Sequence, residues 1–239
     1  MKKFLTIKKN IMIIGISGKK QSGKDTVGKI IQFLKINNCN PYYNDKPYSE
    51  KSFSEYLSNK DNEIWEIKKF SDKLKDIVCL LINCTRQELE DEKFKNTAIG
   101  EEWIRMYFDK DFSYKKQCFT PRELLQFIGT DLFREKLNPN IWVNSLMCEY
   151  KKTIRKTTPT FESVTTYPDW IITDVRFQNE FQAIKDRGGI TIRVNRPQLP
   201  NCDNHLSETD LDSVIFDYTI DNNGTIEELI KKVQKVLYK

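Results

Sequence analysis

A three-layer α/β fold, with a parallel sheet flanked by helices, is the architecture this sequence predicts, and three observations lead to it. An Ile-rich apolar run, Ile11–Ser17, passes through a glycine-flanked loop into an amphipathic stretch. Short apolar runs then keep alternating with helical patterns, as the βα units of a parallel sheet require. A late apolar run, Asp169–Asp174, ends in a carboxylate. The 239 residues suit one α/β domain with insertions, placed at 11–239 after an N-terminal extension over 1–10.

Taken in order, Ile11–Ser17 reads as a buried strand because it is uniformly apolar and bounded by Gly15 and Gly18. Gly23–Ile36 reads as a helix, with Val27, Ile30, Ile31 and Leu34 recurring on one face. Asn37–Asn62, polar and holding two prolines, reads as a surface insertion. Glu66–Phe70 is a second strand, and Ser71–Leu81 a helix presenting Leu74, Ile77, Val78 and Leu81. Thr85-Arg-Gln-Glu88 is a capping box, where hydroxyl and carboxylate satisfy the free amides of a helix start.

Thr120-Pro121-Arg122-Glu123 repeats that signal with proline in the first turn and opens a helix over Arg122–Leu137. After Asn138-Pro139, Ile141–Ile154 reads as a helix carrying Val143, Leu146, Met147 and Tyr150, and Arg155–Pro168 as a second surface insertion. Asp169–Asp174 is a strand, Asn179–Arg187 a helix stopped by Gly188-Gly189, and Ile190–Asn195 a strand. Asp217–Ile220 is the last strand, and Thr225-Ile-Glu-Glu228 caps a helix running through Leu237.

Composition narrows the chemistry. Hydrophobic residues at 38% and charged residues at 31% fit a globular chain. No apolar run reaches the eighteen or more residues of a membrane span, and the basic start lacks a secretory hydrophobic region, so the cytoplasm is expected, the host's if the protein is viral. The six cysteines form no C-x-x-C pair and read as reduced thiols. One histidine, His205, argues against Ser-His-Asp hydrolysis and Cys₂His₂ zinc. A net charge of +5 suits acidic ligands, but the cations are dispersed, so no stable nucleic-acid binding and no membrane association are expected.

Gly18-Lys-Lys-Gln-Ser-Gly23-Lys24-Asp25 lies between the first strand and its helix, the context in which a Gly-rich loop cradles phosphate. Its amides and the helix N-terminus face the anion, and Lys24 supplies a point charge. The motif's usual hydroxyl position holds Asp25, with Thr26 next. A carboxylate beside polyphosphate repels it unless a cation intervenes, so Asp25 is expected to face Mg²⁺, Lys24 or a group held by Lys20. The alternative is a first-turn aspartate favoured by the helix dipole.

Asp174 and Arg176 follow a strand whose carboxyl end should reach the same region, as partners of the loop or as a helix cap and a surface cation. Arg122, Arg193 and Arg196 are each either phosphate ligands or solvated charges. Trp103, Phe127 and Trp142 read better as core than as base-stacking surfaces.

On these residues the chain resembles the phage-type deoxynucleoside monophosphate kinases of the P-loop kinase superfamily, in segments from Ile13 to Leu237. The matching stretches are SGKKQSGKDT, RELLQFIGTDLF, IWVNSL, IITDVRFQNE, NHLSETDL and DNNGTIEEL, in the same order. The resemblance implies an NMP-kinase-like fold with a helical substrate-binding insertion, and transfer of phosphate from ATP, with Mg²⁺, to a deoxynucleoside monophosphate.

Carried onto this sequence, it implies that Gly18, Lys20, Ser22, Gly23, Lys24, Asp25 and Thr26 hold ATP, with Asp25 and Thr26 toward the metal. Arg196 would serve a lid near ATP and Asn222 would lie near adenine. Lys75, Arg122, Thr130, Asp131, Trp142, Asp174 and Arg176 would bind the acceptor, with Lys24, Asp25 and Arg176 catalytic. Animal-type phosphomevalonate kinases share the loop and the Asp-x-Arg, but lack counterparts of LLQFIGTDLF and IWVNSL, which favours a nucleotide acceptor. A non-catalytic nucleotide-binding module fits less well, because Asp25 and Arg176 suit transfer between two anionic phosphates. Base choice, sugar choice and self-association, including a homodimer, are left open.

Overall fold

The computed structural model describes residues 13–39, 48–58, 65–108, 110–156, 163–197 and 209–238. The extension at 1–10, residues 40–47 and 59–62 of the 37–62 insertion, His205 and most of NHLSETDL lie outside the described residues. The single domain expected over 11–239 divides into two compact units, one of residues up to Lys69 with Cys148 onward, the other Phe70–Met147.

The first unit opens with β1 (Ile13–Ser17) and α1 (Lys24–Cys39), then α2 (Glu50–Ser58) and β2 (Trp65–Lys68). In the second unit follow α3 (Asp72–Ile82), α4 (Arg86–Glu90), α5 (Glu92–Lys95), a 3₁₀ turn at Glu101–Trp103, β3 (Ile104–Phe108), β4 (Tyr114–Cys118), α6 (Pro121–Gln126), a π-helical stretch Phe127–Leu137, and α7 (Ile141–Met147). The first unit resumes with β5 (Thr153–Lys156), β6 (Ser163–Thr166), β7 (Asp169–Ile172), α8 (Gln178–Lys185), β8 (Ile190–Asn195), β9 (Tyr218–Asp221) and α9 (Ile226–Leu237).

Five parallel strands in the order β2-β7-β1-β8-β9 form the sheet of the first unit. β1 is buried along its whole length, which explains its unbroken apolar sequence. Strand alternation sends Ile14 and Ile16 into a core with Val27, Ile30, Ile31 and Leu34 of α1 and Leu229, Ile230 and Val233 of α9. On the other face, a Cβ added at Gly15 would meet Ile184 of α8, so helices cover both sides and the layers number three. Burial of each such Ile or Leu contributes roughly 1.5–3 kcal/mol. Ile171, fully buried in β7 against α1, is a position where truncation to Ala costs about 2–5 kcal/mol.

The insertion at 37–62 is more than a surface excursion, because α2 buries Phe53, and the Phe33 ring meets Tyr48, Phe53 and Tyr56 at 5.9, 5.5 and 5.6 Å. The helix expected over Ile141–Ile154 stops at Met147. Tyr150 leaves it to pack on Tyr167 and Trp170 at 5.0 and 4.9 Å, and the β-branched Thr153 and Ile154 enter β5. The insertion at 155–168 therefore includes the second strand of an antiparallel hairpin, β5–β6.

In the second unit, α3 packs on α4, α6 and α7 around Leu74, Val78, Leu89, Leu124, Trp142 and Leu146. β3 and β4 form an antiparallel hairpin that the sequence did not announce. The helix expected over Arg122–Leu137 starts where its capping box places it, but widens after Gln126 into π geometry. It ends with Asn138 N–H on Phe133 O at 2.9 Å, five residues back. Trp142 Nε1 donates to Gly129 O at 2.9 Å inside that stretch, drawing one helical carbonyl toward a side chain.

Candidate phosphate-binding site

The loop between β1 and α1 is shaped by two residues at positive φ, Gln21 at 62° and Gly23 at 94°. Ser22 N–H bonds Lys19 O at 3.1 Å, and Lys24 Nζ reaches back to Lys19 O at 3.0 Å, so the lysine closes the loop on itself. Its side chain is nearly buried. Asn222, just beyond β9, donates Nδ2 to Ser22 O at 2.9 Å, and Arg196, just beyond β8, donates to Gln21 O at 3.4 Å. Both late residues thus bear on the loop's backbone, the position of Asn222 being that of a loop brace.

Ser22 Oγ is buried and, among the described residues, has no hydrogen-bond partner. A buried hydroxyl in a polar, glycine-rich turn at the head of a sixteen-residue helix fits an absent acceptor such as a phosphate oxygen. Gly18 is half-buried, Lys20 exposed and Thr26 half-buried.

Asp25 occupies the first turn of α1. Its Oδ1 accepts from Lys69 Nζ at 2.8 Å and from Thr173 Oγ1 at 2.8 Å. Desolvation pushes this carboxyl up, but the hydrogen bond and charge of Lys69, the Thr173 hydroxyl and the charge of Lys24 outweigh it and hold the group below its ordinary 3.8. The sequence points Asp25 at Mg²⁺, Lys24 or a group held by Lys20, and names neither Lys69 nor Thr173. The signal was present, since both residues stand at carboxyl ends of parallel strands, but Lys69 fell inside a strand drawn through to Phe70.

Thr173 and Asp174 continue β7, with Thr173 N–H on Lys68 O at 3.2 Å and Val175 N–H on Ile16 O at 3.1 Å. Asp174 is buried, and Arg176 is half-buried. Glu180, in the first turn of α8, accepts from Arg176 N–H at 2.8 Å and Phe177 N–H at 3.2 Å, fixing the backbone from which Arg176 projects. Arg193 is turned to Asp212 at 2.7 Å and Ser17 Oγ at 3.2 Å.

Among the described residues no group of three or more His, Cys, Asp or Glu could hold a metal ion by itself. Asp25 takes its bonds from Lys69 and Thr173 on Oδ1, so a cation held here would be a hard one that keeps its water and draws most of its ligands from a bound phosphate.

The remaining expected residues belong to the second unit. Lys75 pairs with Glu90, and Arg122 donates to Asn96 Oδ1 at 2.9 Å and Glu92 Oε2 at 2.8 Å. Thr130 is half-buried and Asp131 exposed, both on the π-helical stretch. Trp142, expected both as core and, from the resemblance, at an acceptor site, is 4% exposed, with its ring nitrogen donating to Gly129 O and its ring in an edge-type contact with Phe133 at 5.5 Å.

Comparison with known proteins adds an independent line. A stretch of 122 residues, 48% of this chain, is 35% identical to a protein of Acanthamoeba polyphaga mimivirus provisionally named a deoxynucleotide monophosphate kinase, of which it covers 59%. Over 116 residues the chain is 29% identical to the deoxynucleotide monophosphate kinase of Enterobacteria phage T4 and 28% to that of Escherichia phage RB69, covering 44% of each. The chain spans about half the length of the curated relatives it matches. The family model for deoxynucleotide monophosphate kinase matches residues 74–233, beginning after the loop between β1 and α1, so the loop's geometry and the family match are separate observations. With that match covering more than half of its length, the chain belongs to the deoxynucleotide monophosphate kinase family.

Proposed function

We propose that the protein transfers the γ-phosphoryl group of ATP to a deoxynucleoside monophosphate, yielding the diphosphate and ADP, in support of DNA precursor supply. The observation that carries this reading is the buried Ser22 Oγ, without a hydrogen-bond partner among the described residues, in a loop closed by Lys24 at the head of α1, within a chain of this family. ATP and the monophosphate are the partners it names, and the cytoplasm is the compartment it suits. No helix among the described residues is long and apolar enough to cross a membrane.

In this reading the loop amides and Ser22 Oγ hold the donor phosphates, Lys24 exchanges Lys19 O for a phosphate oxygen, and Arg176 stabilises charge on the transferred group. Mg²⁺ bound with ATP would neutralise charge on the β- and γ-phosphates. Arg122 as an acceptor-phosphate ligand must leave Glu92 to act, and Lys75 must likewise leave Glu90. Catalysis of this kind is positioning plus electrostatics and needs no strong base. The test is a panel of deoxy- and ribonucleoside monophosphates with phosphomevalonate, each assayed for ADP formation with ATP and Mg²⁺. Turnover of deoxynucleotides is expected, and turnover of phosphomevalonate alone would overturn the assignment.

A further inference from the structure

The phosphate loop carries a carboxylate where a hydroxyl commonly stands, and what the structure sets against that carboxylate is a lysine from another strand. Lys69 follows β2, and Thr173 follows β7. The two strands are paired with Lys68 opposite Ile172, and Thr173 N–H is bonded to Lys68 O, so sheet register holds the two residues side by side. Both converge on Asp25 Oδ1, at 2.8 Å each. Thr173 is fully buried, and the Lys69 side chain is 26% exposed against 56% for Asp25. Neither partner lies in the loop or its motif.

We infer that Lys69 is a positioning residue of the phosphate loop, its ammonium cancelling the Asp25 charge so that a carboxylate stands at the head of α1 without repelling bound polyphosphate. The inference rests on the loop being a polyphosphate site. Coulomb's law gives the sign: a lone negative charge within a helical turn of a di- or triphosphate weakens its binding, and a lysine paired to it removes that penalty. Thr173 sets the direction of the carboxylate, and Lys69 sets the net charge. A mere surface pair would leave nucleotide affinity indifferent to either residue.

Titration calorimetry with ADP in EDTA, on the full chain, separates the cases. Lys69→Met is expected to raise the ADP Kd about tenfold, and Lys69→Arg to hold it near the wild-type value. Asp25→Asn alone is expected to bind ADP as tightly as wild type or tighter. The decisive variant is Lys69→Met with Asp25→Asn, expected to return to within about threefold of wild type because the uncompensated charge is gone. A double variant as weak as Lys69→Met overturns the inference, as does a Lys69→Met protein with wild-type affinity. Lys69→Ala, checked by thermal melting, repeats the measurement if Lys69→Met is poorly folded. Wild-type protein that binds no ADP would sink the reading of the loop as well, whereas binding that ignores both charges sinks this inference alone.

Discussion

Asn222 donates its side-chain amide to the backbone carbonyl of Ser22 across 200 residues of sequence, tying the end of β9 to the turn that follows β1. The bond is neutral and half-buried, so its loss costs about 0.5–1.5 kcal/mol in stability. Its larger effect falls on the loop, whose Ser22 carbonyl would then seek another donor. Asn222→Ala is therefore expected to lower the melting temperature by a few degrees and to raise the KM for ATP more than it lowers kcat. Steady-state kinetics with ATP varied would show the split.

Gly23 makes the complementary case. Its φ of 94° is a conformation that a side chain strains, and a Cβ there would collide with Asn222 Nδ2. Gly23→Ala incurs both the dihedral penalty, about 1–2 kcal/mol, and displacement of the brace. Nucleotide binding is expected to fall by more than tenfold, and adding Asn222→Ala should recover only the steric share. Full recovery in the double variant would mean that the backbone conformation contributes nothing.

A pH-dependent element sits at the far side of the sheet. Asp217 accepts from Thr191 N–H at 2.7 Å, Thr191 Oγ1 at 2.9 Å and Lys185 Nζ at 2.7 Å. Desolvation raises its pKa, while Lys185 and the two Thr191 donors lower it more, leaving it below the ordinary 3.8. A depressed folded-state pKa gives stability that is present above pH 3.8 and lost as pH falls through the folded value. Asp217→Asn should thus melt below wild type at pH 7, and the gap should narrow as pH drops from about 4 toward 2. A gap constant over that range would refute the assignment.

The local signals in the sequence were realised where they needed no distant partner. Thr85 with Glu88, Thr120 with Glu123 and Thr225 with Glu228 each form the reciprocal cap that their three-residue spacing encodes. The five strands of the sheet and the glycine-flanked loop between β1 and α1 were equally legible, because apolar continuity and glycine placement are properties of short segments. What stayed hidden depends on contacts far apart in sequence. Asp25 meets Thr173 across 148 residues, and nothing near Asp25 names its partner. The β3–β4 hairpin is largely exposed, and its second strand, Tyr114-Lys-Lys-Gln-Cys118, carries no apolar alternation to announce it. The widening of the helix after Gln126 coincides with an indole donated from α7, again a tertiary bond.

Glu180 is the buried acid whose consequence for turnover is most direct. It is 2% exposed, and its Oε2 accepts the amides of Arg176 and Phe177 at 2.8 and 3.2 Å. Those amides belong to the turn between β7 and α8, so the carboxylate both caps α8 and fixes the stem of Arg176. Replacing it with Gln keeps the shape and one acceptor oxygen but removes the charge, and Ala removes the acceptor altogether. Leaving the amides unsatisfied costs about 1–3 kcal/mol. If Arg176 neutralises the transferred phosphoryl group, Arg176→Ala should lower kcat by roughly 10²–10³, and Glu180→Ala should reproduce part of that loss with little change in the KM for ATP. Glu180→Gln should lie between wild type and Ala. A purely structural glutamate would instead lower the melting temperature while the folded fraction kept its kcat. Active-site-normalised kcat measured beside the melting curve decides between the two.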